Sequence, residues 1–147
     1  MTRNTIDYEK DFYAWTVEQA RLLRAGEFSE IDVENIAEEI ESMGRSDRRE
    51  IHSRLVVLLM HLLKWQYQKR ARSRSWSSTI LTQRREIEQL LAESPSLRPS
   101  FIQMFPKAYA DARQQAALET GLRIGTFPET CAFTPEEALT REFLPEP

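Results

Sequence analysis

Residues 46–68 read SDRREIHSRLVVLLMHLLKWQYQ, and the reading of this one stretch decides the fold. Ser46 is a good helix cap, because its hydroxyl can accept from an amide of the first turn that has no partner within the helix. From there Ile51, Leu55, Leu58, Leu62 and Trp65 recur at three- and four-residue spacing, the period of an α-helix. Val56, Met60, Leu63 and Tyr67 form a second stripe on another side, so the middle of this helix is apolar nearly all round. A helix without a polar face must be surrounded by others, which makes residues 46–68 the centre of a bundle. Met60 and Leu63 offer their stripe either to the first or fifth helix or to a second copy in a homodimer.

Toward the N-terminus, Asp32–Met43 reads as a short second helix. It buries Val33, Ile36, Ala37, Ile40 and Met43, ends at Gly44, and leaves Glu34, Glu38 and Glu41 as an acidic ridge behind, with Glu39 on the opposite flank. A first helix runs from Asp7, as cap, to Ala25, with Phe12, Trp15, Gln19, Leu22 and Leu23 along one side and Gly26 as a left-handed stop. Toward the C-terminus, Ser75 caps a fourth helix from Trp76 to Glu93, with Trp76, Ile80, Ile87 and Leu91 inward and Pro95 beyond its end. A fifth begins near Leu97–Pro99, bends at Pro106 and stops at Gly121. Thr134-Pro135-Glu136-Glu137 is a capping box with proline at the first helical position, so a last short helix runs to about Arg141. No strand alternation persists outside Leu122–Phe127. The expectation is an all-α, single-domain helical bundle of about five main helices plus a short C-terminal one, with a flexible N-terminus at residues 1–6 and an irregular tail from 122 to 147.

The chain's 147 residues suit one domain, and 41% hydrophobic with 29% charged residues lies near globular averages. Its longest apolar run, Leu55–Met60, is far short of the roughly 20 residues that cross a bilayer, so no membrane association is expected. Asp7, Glu9 and Asp11 stand where a secretory signal would be apolar, and one cysteine cannot close an internal disulfide, which together point to a reducing cytoplasm.

The net charge of −3 is unevenly spread. Residues 27–50 carry nine acidic and three basic side chains, whereas residues 64–85 carry seven basic and no acidic ones. Opposite charges on neighbouring helices can simply attract each other. Within 64–76, though, cations alternate with aromatics, the composition that tracks phosphates and stacks bases, so Lys69, Arg70, Arg72 and Arg74 are candidates for a nucleic-acid surface.

Several strings carry a resemblance. Asp11-Phe12-Tyr13-Ala14-Trp15, Glu18-Gln19-Ala20, Glu38-Glu39-Ile40-Glu41-Ser42-Met43-Gly44, His61-Leu62-Leu63-Lys64-Trp65-Gln66, Ser75-Trp76, Gln83-Arg84, Glu119-Thr120-Gly121 and Phe127-Pro128 resemble the bacterial family called domain of unknown function 29. The resemblance covers about Tyr8 to Leu144. It implies a small helical bacterial protein and carries no activity or catalytic residues with it.

Chemistry-bearing motifs are sparse. His52 and His61 lie nine residues apart on one helix and point to roughly opposite sides, so they cannot share a metal ion, and no cofactor is expected. Cys131 has no histidine near it in sequence to act as base, and a packed thiol is the plainer reading. No nucleophile elbow, phosphate-cradling loop or dinucleotide fingerprint is present. Arg84 is different, because it falls inside the inward stripe of its helix between Ile80 and Leu91. In an antiparallel hairpin about Ala71, Trp65 meets Trp76 and His61 comes within about one turn of Arg84. A buried guanidinium needs its charge paired and its donors satisfied, and Glu39 or Glu41 of the second helix is the expected partner. His61, Arg84, Trp65, Trp76, Glu39 and Glu41 therefore form the candidate binding cluster, either as a polar clamp that fixes packing or as an anion pocket walled by the two tryptophans. The expected function is a non-enzymatic interaction or regulatory module with a protein partner. Nucleic-acid binding is the alternative, and a hydrolase of unrecognised type ranks last.

Overall fold

A computed structural model describes residues 6–146. It is 74% helical, with no strand among the described residues, which gives the all-α class directly. Five helices follow one another: α1 (Phe12–Arg24), α2 (Val33–Tyr67), α3 (Arg74–Glu93), α4 (Arg98–Thr120) and the short α5 (Pro135–Leu139). None is long and apolar enough to cross a membrane. Apart from Ile6, the expected flexible N-terminus lies outside the described residues.

The chain forms two compact units, one ending at Arg45 and a larger one beginning at Ser46. The larger unit has the core foreseen for residues 46–68. Ile51, Leu55, Leu58, Leu59 and Leu62 of α2 are fully buried, joined by Ile80, Ile87 and Leu91 of α3 and by Phe101, Ala108, Tyr109 and Ala112 of α4. Met60 and Leu63 belong to this core as well, at 5% and 1% exposure, so the second stripe is covered by the chain's own helices and is no dimer face. Two α4 side chains hold the first part of the tail through its backbone: Tyr109 donates to the Pro128 carbonyl and Arg113 Nε to that of Phe127. Thr134 and Glu137 form the expected capping box of α5, each accepting from the other's backbone amide at 3.0 Å.

The N-terminal unit departs from expectation at both of its helices. The cap of α1 is Asp11, whose carboxylate accepts from the Ala14 amide at 3.1 Å. Asp7 instead binds the Glu9 amide and closes a turn ahead of the helix. The second and third expected helices are one, because α2 runs unbroken through Gly44 and Ser46. Glycine ends a helix by turning left-handed, as Gly26 and Gly121 do at φ of 73° and 74°, and Gly44 does not. Arg45 braces the same place by pairing with Glu38 at 2.7 Å and standing 3.8 Å from Glu41. Nothing lies within 4 Å of the position a Gly44 Cβ would take. Gly44→Ala is therefore expected to raise the unfolding free energy by about 0.5–1 kcal/mol, seen as a higher urea midpoint; a lower midpoint would show that the glycine is needed for the backbone.

The largest departure is exposure. Val33, Ile40 and Met43, expected to be buried, are 59%, 59% and 62% exposed. Among the described residues of this unit, only Trp15, Gln19 and Leu22 are buried.

Candidate functional site

The N-terminal unit is organised around one tryptophan. Trp15 Nε1 donates to Asp32 Oδ2 at 3.0 Å, while the other oxygen of Asp32 caps α2 by accepting from the Asn35 amide. Gln19 Oε1 accepts from the Asp32 amide at 2.7 Å, so both polar groups of the cap residue are tied to α1. Asn35 Nδ2 also donates to Asp32 Oδ2 at 2.7 Å, and this bond first, then those from the Trp15 indole and the Asn35 amide, hold the Asp32 carboxyl below the usual carboxylate range against the opposing effect of burial. The Tyr8 and Phe12 rings pack on Trp15 at 4.8 and 5.8 Å. Tyr8 also donates its hydroxyl to the Glu39 carboxylate, a bond that pushes the phenol pKa up to about 12.

With its polar groups occupied in this way, the unit leaves apolar side chains outside. Val33, Ile40 and Met43 project from α2, and Tyr13 and Val17 from α1, at 78% and 54% exposure. Between residues 6 and 45 there are eleven acidic and four basic side chains, so the apolar surface sits in a strongly negative field. Sequence reasoning treated the stripe as core. The period was right, but the spacing alone does not say whether a face has a neighbour.

In the larger unit, α2 and α3 run antiparallel to each other. Arg54 Nη1 donates to Gln83 Oε1 at 3.2 Å, and Lys64 Nζ lies 4.9 Å from the centre of the Trp76 ring. Arg84 is buried, at 3% exposure, but its partners are not carboxylates. Nε donates to the Ala138 carbonyl at 2.7 Å, Nη1 to that of Arg141 at 3.1 Å and Nη2 to that of Phe143 at 2.6 Å. The guanidinium thus gathers main-chain oxygens from the end of α5 and the residues after it, where the helix dipole is negative. Burial draws its pKa down, opposed by Glu88 and Glu142. This corrects the expected pairing: Glu39 accepts from Tyr8 and Glu41 stands by Arg45, both within the N-terminal unit.

His61 has separate company. Its Nδ1–H donates to the Val57 carbonyl at 2.8 Å, because a carbonyl can only accept. Burial pushes the imidazole pKa below its ordinary value; the Val57 bond opposes this, the Lys64 ammonium reinforces it, and Glu119 opposes it. The unfolded chain therefore takes up this proton first as pH falls, and folding stability drops from about pH 6.5 down to the depressed folded pKa, then levels off. His61→Gln is expected to flatten that part of the profile in urea titrations at about pH 7.5 and 5.5. An unchanged slope would contradict it.

Both tryptophans of the candidate cluster are already covered by cations. The Arg72 guanidinium lies 4.8 Å from the centre of the Trp65 ring and donates Nε to the Trp65 carbonyl at 2.7 Å, while its buried Nη2 has no hydrogen-bond partner among the described residues. Lys64, over Trp76, is ion-paired with Glu119 at 2.8 Å. Of the basic segment, Lys69, Arg70 and Arg74 remain exposed and form no ion pair among the described residues. One polar contact was not foreseen at all, His52 Nε2 meeting Asp111 Oδ2 at 3.1 Å, because Asp111 lies 59 residues away in sequence. Cys131 is half-buried, and burial raises its thiol pKa to about 11, opposite to what a nucleophile needs.

These features define a small all-helical protein in which no group of three or more His, Cys, Asp or Glu among the described residues could hold a metal ion. Residues 8–144 match the family model described as Domain of unknown function DUF29, and the chain belongs to that family. No curated protein and no solved structure matches it.

Proposed function

We propose that this chain is a non-enzymatic interaction or regulatory module whose binding face is the apolar ridge at the start of α2. One observation carries the reading: Val33, Ile40 and Met43 are each more than half exposed on a helix whose later turns are buried. Large apolar side chains grouped in water are a standing free-energy cost that a partner removes, at about 25 cal/mol per Å² covered. A cytoplasmic setting suits the single thiol, which finds no intramolecular disulfide partner. The test is a photo-crosslinking residue at position 40, with a control at the exposed Leu118 of the larger unit, in extract of the native host. A protein crosslinked from position 40 and absent from the control supports the module. Equal labelling from both positions, or none, defeats it.

A second reading keeps the exposed Lys69, Arg70 and Arg74 as a nucleic-acid contact. It lacks open stacking platforms, since Trp65 and Trp76 are both capped by cations. Binding would then be electrostatic and strongest at low salt, and a fluorescence titration with DNA and RNA showing none there removes it.

A further inference from the structure

Resting on the module reading, we propose that the ridge on α2 receives a cationic amphipathic helix, that is, a partner segment with an apolar edge flanked by lysine or arginine. Val33, Ala37, Ile40 and Gly44 follow at i, i+4, i+7 and i+11, so they form one line along the helix, about 16 Å long at 1.5 Å per residue. Large and small residues alternate on that line. Val33 and Ile40 stand out, while Ala37 and Gly44 leave notches, and nothing occupies the space above Gly44. A second helix laid along such a surface seats its own large side chains in the notches, the ridge-and-groove fit by which helices pack. Met43 extends the apolar surface on one side of the line. Glu34 and Glu41 border it on the other, about a quarter-turn away, and Glu34 has no ion pair among the described residues.

Charge selects among the occupants. Residues 6–45 carry eleven acidic and four basic side chains, a net of −7 at neutral pH. A second copy would bring an equal charge onto the same face, and an anionic lipid surface or an acidic peptide would be repelled in the same way. A helix carrying Lys or Arg beside its apolar edge meets Glu34 and Glu41 with opposite charge while its leucines cover Val33 and Ile40. This is the helix-in-groove mode, with affinity coming from the buried line and selection from the flanks.

The probes are two synthetic helical peptides of about 18 residues, with the same leucine edge and either lysine or glutamate flanks, titrated by fluorescence anisotropy against the full chain. The lysine peptide is expected to bind, and the glutamate peptide at least about tenfold more weakly. Ile40→Asp separates docking from plain charge attraction, because it makes the surface more negative. Docking predicts about tenfold weaker binding of the lysine peptide, whereas charge alone predicts tighter binding. Val33→Asp is a second such variant at the first turn of α2, where a carboxylate favours the helix, and circular dichroism checks that both variants remain folded. Replacing Glu34 and Glu41 with lysine together is expected to weaken binding and flatten its salt dependence. The proposal is overturned if the two peptides bind alike or neither binds, if Ile40→Asp leaves binding unchanged or tighter, or if light scattering finds a dimer that Ile40→Asp dissolves. Failure of the peptides with a surviving crosslink from position 40 removes only the partner's chemistry. Failure of both removes the module reading as well.

Discussion

Arg84→Met is expected to cost the larger unit about 3–5 kcal/mol, because it removes a charged donor from three main-chain carbonyls at once. Methionine fills much of the volume, so the loss reads out the polar clamp and not a cavity. The carbonyls of Ala138, Arg141 and Phe143 can recover water only if the tail lifts off. Urea unfolding measures the free energy, and amide exchange across α5 and the residues after it should accelerate ahead of the α2 core. Arg84→Lys should recover less than half of the loss, since one ammonium cannot aim at three oxygens that a planar fork reaches together. A loss below about 1 kcal/mol with tail protection unchanged would show that water replaces the guanidinium without cost. The anion-pocket view of Arg84 predicts little change in stability, so the same measurement separates it from the clamp.

Trp15→Ala should have the other large effect, confined to the N-terminal unit. Removing a buried tryptophan typically costs about 3–5 kcal/mol, and among the described residues this unit buries only two other side chains, Gln19 and Leu22. The Asp32 cap loses its tie to the indole, and Tyr8 and Phe12 lose the ring they pack on. The expected outcome is that α1 and the first turns of α2 exchange their amides almost as fast as an unfolded chain. Residues 51–65 should keep their protection. If α1 stays as protected as in the parent protein, the aromatic cluster is not what holds that unit.

The central helix could be read in the sequence because its information is local: apolar residues on every side of residues 51–65 admit few arrangements other than enclosure. Gly121 as a stop and Thr134 with Glu137 as a capping box were legible for the same reason. Gly44 was not. A glycine permits both continuation and termination, and the choice rests on the backbone angle it takes and on the Arg45 pairs beside it. Caps moved by a few residues, from Asp7 to Asp11 and from Ser75 to Ser73, because equally competent side chains sit within one turn. The burial of Arg84 followed from its place in the stripe. Its partners could not be foreseen, since backbone carbonyls occur at every residue and leave no mark in a sequence. Exposure of Val33, Ile40 and Met43 was hidden for a related reason: periodicity defines a face without naming what lies opposite.

The raised pKa of Cys131 gives this chain a built-in clock. With a pKa of about 11, only about one thiol in ten thousand is ionised at pH 7, against a few per cent for an ordinary cysteine. Alkylation and peroxide attack both require the thiolate, so in the closed chain they are slow by a factor of about 100 or more. Any opening of the segment that carries Cys131 would present an ordinary thiol, so labelling faster than the closed chain allows would report that opening. The ratio of the observed labelling rate to that of a short peptide containing the same cysteine is then an upper bound on the open fraction. A thiol reagent and a mass spectrometer can thus bound the breathing of the tail at equilibrium, without denaturant.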